Sequence, residues 1–203
     1  MVPVVRTSSA DSAIQAIEAI YRGGIRSAEI TMTVPGALKA LEKVADQFGD
    51  KIMLGAGTVL DPETARSCML AGAQFFVTPN LRLSTIAMCK RYSKVICVGA
   101  LTPTEVVTAW EAGADVIKIF PADAVGGPKY IRALKAPLPH VEMIPTGGVT
   151  IETTPEFLRA GAAAVAAGGE LVNAKLIADG NYAEIESRAK QFLEAVKKGR
   201  SQV

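Results

Sequence analysis

Residues 113–121 have the sequence GADVIKIFP, in which a glycine is followed by a short apolar run rich in β-branched residues. Glycine is preferred just after a helix because it adopts the left-handed conformation without a Cβ penalty. An apolar run with apolar residues on both faces is typical of a parallel strand covered on both sides. We therefore predict that a helix ends at Gly113 and that a buried parallel strand follows it.

The same unit of a glycine followed by a strand pattern occurs four times, because Gly24, Gly72 and Gly161 precede apolar runs as Gly113 does. Short β-rich runs alternate with helical patterns along the whole chain. The predicted strands are residues 2–6, 27–32, 52–56, 74–78, 95–99, 115–120, 141–146 and 163–168. Amphipathic segments that can form crossover helices include residues 9–21, 36–48, 62–71, 83–92 and 103–110.

Eight alternations of strand and helix in 203 residues predict one α/β domain, residues 1–203, folded as a (β/α)8 TIM barrel. An open doubly wound sheet is the alternative, but the regular alternation and the lack of a GxGxxG turn after the first strand favour closure. Asp61-Pro62 and Thr102-Pro103 mark helix starts, since a capping side chain precedes proline there. In a barrel, functional residues should lie at the carboxyl ends of the strands.

The charges of the chain nearly balance, with 22 basic and 20 acidic residues. No field for nucleic acid is indicated, so an anionic ligand must be bound locally. No apolar run is long enough to span a bilayer, and the first residues lack the pattern of a secretion signal. Cys68, Cys89 and Cys97 show no CxxC spacing, which indicates reduced core thiols. We expect a cytoplasmic protein with neither a nucleic-acid nor a membrane partner.

Lys118 lies in the middle of the apolar run 116–121. Burial lowers the pKa of a lysine, and a neutral amine in an apolar pocket is what attack on a ketone or aldehyde requires. We therefore predict that Lys118 does covalent chemistry on a carbonyl substrate. The alternative is a structural lysine that pairs with a carboxylate or extends to the barrel mouth.

Glu29 lies in a similar apolar context in the second predicted strand. A closed barrel would point Glu29 and Lys118 into the same interior. A carboxyl group near the amine could shuttle protons through the carbinolamine and iminium steps. A plain buried ion pair is the alternative.

Two glycine-rich segments end the last two predicted strands, PTGGV at 145–149 and AGGEL at 167–171. Bare glycines let backbone N–H groups approach an anion, and a short helix starting near Glu170 would add its amino end. Loops at these two strand ends bind phosphate in many barrels, although Gly-Gly can also serve only a turn. The predicted phosphate-binding residues are Thr146, Gly147, Gly148, Gly168 and Gly169.

Metal chemistry has little support in the sequence, because His140 is the only histidine and lies in a proline-rich loop before a strand. A structural or solvent-exposed His140 is the simpler interpretation. The lack of a second histidine also argues against a Ser/His/Asp arrangement.

The ordered set of these segments resembles the 2-keto-3-deoxy-6-phosphogluconate (KDPG) and 4-hydroxy-2-oxoglutarate (KHG) aldolases, a family of class I, Schiff-base enzymes. The resemblance covers nearly the whole chain. It rests on GIRSAEIT at 24–31, GAGTV at 55–59, TP at 78–79, TPTE at 102–105, IKIFPA at 117–122 and PTGG at 145–148.

The resemblance implies that Lys118 is the Schiff-base lysine and Glu29 the proton-transfer residue. It implies reversible cleavage of KDPG to pyruvate and glyceraldehyde 3-phosphate, and also cleavage of KHG to pyruvate and glyoxylate. A small 2-keto acid would thus be the ligand, no metal or organic cofactor would be needed, and the protein would form homotrimers.

The resemblance further implies that Arg6 and Thr58 bind the carboxylate of the substrate and that Pro79 and Phe120 wall the pyruvate end. Other members have an arginine at the position of Thr33. Binding of the substrate carboxylate would therefore depend on Arg6 as the cation.

The chain departs from the family pattern at two places. Relatives usually have Gly-Ser after the eighth strand, whereas this chain has Gly168-Gly169 followed by Glu170. An unphosphorylated 2-keto-3-deoxy sugar acid is therefore an alternative substrate, as is KHG. Relatives also usually carry an amphipathic helix before the first strand, whereas the strand pattern here begins at Val2, so other residues would close the barrel bottom.

Two further hypotheses remain open from the sequence. In a phosphate-binding isomerase barrel, Glu29 would act as the base and Lys118 would only stabilise an enolate electrostatically. In a non-catalytic trimeric scaffold, the fold would survive without the activity, although the presence of both Lys118 and Glu29 favours an enzyme.

Overall fold

The computed structural model describes residues 1–201, which contain eight parallel strands alternating with helices. Strands β1 to β8 are Val2–Val5, Ser27–Thr31, Met53–Gly57, Phe75–Val77, Val95–Ala100, Val116–Ile119, Met143–Pro145 and Ala166–Ala167. Helices α1 to α9 of this region are Ala10–Arg22, Ala37–Phe48, Pro62–Leu70, Leu83–Arg91, Pro103–Glu111, Pro128–Lys135, Thr154–Arg159, Ala174–Ala178 and Tyr182–Arg200. The five helices with predicted bounds begin and end within one residue of them.

The sheet closes on itself between its first and last strands. Each strand from β1 to β6 pairs with the next one along the chain, and β1 also pairs with β8, Val2 opposite Ala166. Between β7 and β8, a parallel bridge joins Thr146 to Ala166, and the Ala163 amide donates to the Met143 carbonyl at 2.9 Å. The predicted (β/α)8 barrel is therefore confirmed, and the open doubly wound sheet is wrong.

The glycines that mark the repeat have the predicted conformation. Gly24, Gly72, Gly113 and Gly161 have φ values of 98°, 95°, 93° and 100°, each just past a helix end. Left-handed backbone at these positions turns the chain from the helix into the next strand.

The helix starts predicted from proline also agree with the structure. The side chain of Asp61 accepts from the Thr64 amide at the start of α3. Thr102 and Glu105 form a reciprocal capping box at the start of α5.

The last two strands are shorter than predicted, and the helix expected near Glu170 begins later. Directly after β8, the Gly168 carbonyl accepts from the amides of Leu171 and Val172 at 2.9 and 2.8 Å, which turns the chain out of the sheet. Helix α8 begins only at Ala174, where the Asn173 side chain caps it. The prediction of a helix amino end at Glu170 was therefore wrong.

Alternation along the strands sorts their side chains between two faces. Ile117 and Ile119 are fully buried in the large apolar cluster that lies under the helices. Because successive strand residues point to opposite faces, Lys118 between them points to the barrel interior. Ala28 and Ile30 place Glu29 on the inner face in the same way.

Strand β1 begins at Val2, as predicted, and the amino end of the barrel holds an open apolar cavity of about 530 Å³. Met53 and Val95 line this cavity and are 56% and 46% exposed. The buried side chains of Phe75 and Cys97 lie farther inside. The interior layer that contains Phe75 and Cys97 therefore separates the barrel bottom from the carboxyl-end mouth.

Candidate active site

Lys118 and Glu29 lie on the inner face of the barrel and are 6% and 1% exposed. Lys118 pairs in register with Gly99 and Ile144, and Glu29 pairs with Gly55. Neither oxygen of the Glu29 carboxylate has a hydrogen-bond partner among residues 1–201. A structural ion pair would satisfy those oxygens with the ammonium, so this arrangement differs from a closed buried pair.

The electrostatics of the two groups follow from their burial. Burial raises the pKa of Glu29 to about 7, and the charges of Lys118 and Arg6 oppose that rise. Burial lowers the pKa of Lys118 below its ordinary value, and the carboxylate of Glu29 opposes that fall. Near neutral pH, the carboxyl group can thus exchange protons, and the neutral amine is easier to reach than in water.

Phe120 lies at the mouth of the barrel next to the lysine. The Lys118 ammonium nitrogen is 5.0 Å from the centre of the Phe120 ring, and Phe120 is 38% exposed. An aromatic face beside the amine provides an apolar wall that is open to solvent on its outer side.

Pro79 is held beside the lysine by a short loop that crosses β5. The Thr78 hydroxyl donates to the Asn80 carbonyl at 2.7 Å and accepts from the Gly99 amide at 3.1 Å. A Cβ atom at Gly99 would lie 2.2 Å from the Pro79 carbonyl carbon. Because Gly99 is also the register partner of Lys118, the loop brings Pro79 to the reactive end of the barrel.

Arg6 and Thr58 meet across the ends of β1 and β3. An Arg6 Nη2 donor lies 3.5 Å from the Thr58 hydroxyl oxygen. Thr58 has a φ of 56°, a left-handed conformation that is rare for a β-branched residue and is often found at functional sites. The Thr33 hydroxyl is 2.8 Å from that of Thr31, so position 33 adds a polar group after β2 but no charge.

The two glycine-rich segments meet at a second part of the mouth. A cavity of about 520 Å³ opens there, and Arg6 and Phe120 belong to its wall. All five predicted phosphate-binding residues line it, namely Thr146, Gly147, Gly148, Gly168 and Gly169. The lining does not include Lys118, Glu29, Thr58 or Pro79. Arg6 and Phe120 therefore connect this cavity to the region of the buried pair.

Glu170 lines the glycine-rich cavity beside Gly168 and Gly169, as its place in the sequence suggested. Two other features of the mouth were not predicted from the sequence. The Thr146 hydroxyl is buried without a hydrogen-bond partner among residues 1–201. Asp123 packs on the glycines, since a Cβ at Gly147 would lie 2.7 Å from its carboxylate oxygen and one at Gly148 would lie 2.6 Å from its Cβ. Nothing in the short loop after β6 signals this contact of Asp123.

The histidine and cysteines lie where the sequence suggested. His140 is in an exposed loop, with its ring edge-on to Trp110 at 5.8 Å. Cys68, Cys89 and Cys97 are free and buried, and burial raises the pKa of each thiol to about 12. Over residues 1–201, three or more His, Cys, Asp or Glu side chains never gather in a group that could hold a metal ion. The helices of this region include none that is both long and apolar enough to cross a membrane.

Comparisons with known proteins converge on the family suggested by the motifs. A family model described as "Aldolase: KDPG and KHG aldolase" matches residues 1–188. The 2-dehydro-3-deoxy-6-phosphogalactonate aldolase of Escherichia coli strain K12 is 35% identical over 197 residues, which cover 97% of this chain and 96% of that protein.

Two solved structures have closely similar folds. The KDPG aldolase from Legionella pneumophila, determined with pyruvate captured at low pH as a covalent carbinolamine intermediate, has a TM-score of 0.87 at 29% identity. That match covers 93% of this chain and 91% of the other. A cube-shaped protein cage designed by fusing symmetric oligomeric domains has a TM-score of 0.90 at 33% identity, over 99% of this chain and 73% of that one.

The family model spans nearly the whole barrel, and the Escherichia coli relative is matched along almost its entire length. The buried lysine and glutamate occupy the interior of that same barrel. The chain therefore belongs to the KDPG and KHG aldolase family and is an aldolase, a carbon–carbon lyase.

Proposed function

We propose that this protein is a class I aldolase that cleaves KDPG reversibly to pyruvate and glyceraldehyde 3-phosphate, with Lys118 as the nucleophile. The observation that carries the proposal is the pair inside the barrel. Lys118 is buried with a lowered pKa, and the nearby Glu29 carboxyl group has no partner on either oxygen among residues 1–201. Imine chemistry requires a neutral amine as the nucleophile and a nearby group that can donate and accept protons. Lys118 and Glu29 in this state meet these two requirements.

The first stage is formation of the imine. The neutral amine of Lys118 attacks the C2 ketone of the substrate and forms a carbinolamine. The carbinolamine hydroxyl takes a proton from the Glu29 carboxyl group and leaves as water, which gives an iminium ion and the Glu29 carboxylate. Burial of Lys118 favours this step, because it disfavours the charged form of the free amine.

The second stage is cleavage of the C3–C4 bond. The Glu29 carboxylate accepts the proton of the C4 hydroxyl, the electron pair of the C3–C4 bond moves into the iminium, and glyceraldehyde 3-phosphate leaves. Glu29 then returns that proton to C3 of the enamine, and water releases pyruvate and the free lysine. A carboxyl group with a pKa of about 7 can serve in both directions near neutral pH.

The ends of the substrate would be bound by different parts of the mouth. Arg6 and Thr58 would hold the C1 carboxylate, since the guanidinium and the hydroxyl lie together at one rim. Pro79 and Phe120 would wall the pyruvate carbons. The phosphate would lie in the glycine-rich cavity, against backbone amides of Gly147, Gly148, Gly168 and Gly169 and beside the Thr146 hydroxyl.

A second candidate substrate is 2-dehydro-3-deoxy-6-phosphogalactonate, the C4 epimer of KDPG. The Escherichia coli relative named for that substrate is 35% identical to this chain. Both epimers yield the same products, so the chemistry at Lys118 is unchanged. Supplying each epimer separately and comparing kcat/KM decides between them.

We also propose that the protein is a homotrimer in the cytoplasm. The similarity to the chain of a cage built from symmetric oligomeric domains supports an oligomer, and three free, buried thiols suit a reducing compartment. Light scattering should give three times the mass of one chain, and the mass of a monomer would contradict the trimer. Cell fractionation tests the compartment.

Borohydride reduction in the presence of pyruvate should attach the ketoacid covalently to Lys118, because it reduces the imine to a stable amine. Peptide mass spectrometry locates the adduct. Lys118→Met should give no adduct while keeping the circular dichroism of the folded barrel. An unlabelled wild-type protein would contradict the proposal that Lys118 forms an imine with the substrate.

Glu29→Gln should slow the exchange of the C3 protons of pyruvate with solvent deuterium by about 10²–10⁴-fold. In the wild type this exchange should rise with pH through about 7, because the carboxylate is the form that removes a C3 proton. The pH profile of exchange in the variant should lack the midpoint near 7, yet borohydride should still trap pyruvate on Lys118 of the variant. Glu142→Gln, an exposed carboxyl before β7, serves as the control with an unchanged midpoint.

Gly169→Ser should raise kcat/KM for KDPG about tenfold, because a hydroxyl that donates to a phosphate contributes about 1.5 kcal/mol or more. A side chain fits at Gly169, since nothing lies within 4 Å of its Cβ position and its φ is not left-handed. Gly169→Ala supplies the Cβ without the hydroxyl and should give no gain. An equal gain with alanine, or none with serine, would mean that the phosphate lies elsewhere.

A further inference from the structure

Three interior glycines surround the buried lysine and glutamate. Gly55 and Gly57 are on β3, and Gly99 is on β5. Parallel register places Gly55 beside Glu29 and Gly99 beside Lys118, so these glycines face the barrel interior as their partners do. Gly57 lies two residues after Gly55 and shares its face.

The space of each missing side chain is filled by a different group. A Cβ at Gly55 would lie 2.3 Å from the Phe75 ring, and one at Gly99 would lie 2.2 Å from the Pro79 carbonyl carbon. A Cβ at Gly57 would lie 2.6 Å from Oε1 of Glu29, 2.8 Å from Cδ and 3.3 Å from Cγ. The Glu29 carboxyl group therefore packs directly on the bare backbone of Gly57.

The backbone conformation does not explain the glycine at position 57. Its φ lies outside the left-handed range, and its carbonyl accepts a regular bond from the Met32 amide at 2.8 Å. An alanine would fit that backbone without strain. What excludes a side chain at Gly57 is the Glu29 carboxyl group.

The same carboxyl group has little else to fix its position. Neither of its oxygens has a hydrogen-bond partner among residues 1–201. Lys118 and Arg6 influence Glu29 through their charge, and charge attraction acts with little directional preference. Contact with the β3 backbone is therefore the short-range restraint on where the acid lies.

We propose that Gly57 is a positioning residue for proton transfer, which it controls by giving the Glu29 carboxyl group room against β3. This inference rests on the proposed function, since it assumes that Glu29 transfers protons to and from the substrate. A methyl group at position 57 would lie 2.6 Å from Oε1 of Glu29, so it forces the carboxyl group about 1 Å away from the β3 backbone. A misplacement of about 1 Å can cost on the order of 10²-fold in rate.

The test compares Gly57→Ala with Gly55→Ala, a matched control on the same strand and face that crowds Phe75 instead of Glu29. Gly57→Ala should lower kcat on the order of 10²-fold and displace the midpoint near pH 7 of pyruvate proton exchange. It should still be trapped by borohydride and pyruvate, because Lys118 is untouched. Gly55→Ala should leave that midpoint in place.

Two double variants show whether the effect passes through Glu29. In the Glu29→Gln background, Gly57→Ala should cause no further loss of exchange, since the group that it misplaces no longer titrates. In the Glu29→Asp background, Gly57→Ala should be tolerated better, because the shorter side chain leaves room for the methyl group. Should Gly57→Ala alone fail to fold, Glu29→Asp with Gly57→Ala should restore folding.

The inference is overturned in three cases. Gly57→Ala has the pH profile of the wild type, or it lowers exchange equally with and without the Glu29 carboxyl group, or Gly57→Ala fails to fold and the Asp double variant fails in the same way. A wild type that traps no pyruvate is a different result, because it removes the proposed function itself. A wild type that is trapped, beside a Gly57→Ala variant with an unaltered profile, removes the inference alone.

Discussion

The site depends on one constraint, which is that an ammonium and a carboxylate are kept out of water on the inner face of a closed sheet. Desolvation disfavours both charged forms, so it lowers the pKa of Lys118 and raises that of Glu29. A closed barrel can sustain this cost because its outer strand face is packed under helices, where Ile117 and Ile119 are fully buried. The apolar cluster thus stabilises the fold, while the interior remains available for reactive groups.

Glycine has two separate roles in this chain, and only one of them can be inferred from a sequence pattern. Gly113 and its counterparts past other helices adopt left-handed backbone, a local requirement that the following strand pattern makes visible. Gly55, Gly57 and Gly99 have ordinary backbone but leave space for a ring, a carboxyl group and a crossing loop. Groups that are distant in the sequence fill that space, so the residues around each glycine do not indicate its role.

The same distinction explains how much of the structure could be predicted. The apolar run around Lys118 was enough to predict that the lysine is buried, and the helix signals predicted the helix bounds to within one residue, because both depend on near neighbours in the sequence. The shortness of β8 depends on the bonds that Gly168 accepts after it, and the contact of Asp123 with the glycine loop depends on how β6 and β7 end side by side. The left-handed Thr58 likewise follows from its surroundings rather than from its residue type.

The arrangement also separates the chemistry from the choice of substrate. The reactive pair is carried by β2 and β6, whereas the distal cavity is built from the loops after β7 and β8. Arg6 is shared between that cavity and the reactive pair, since its charge also acts on Lys118 and Glu29. Glu170 belongs to the cavity alone, so the charge of the cavity can change there while Lys118 keeps its surroundings. A carboxylate beside bare glycines weakens the attraction for a phosphate but leaves backbone donors in place. On the proposed function, the buried pair determines which bond is broken, and the loops after β7 and β8 select the tail of the substrate.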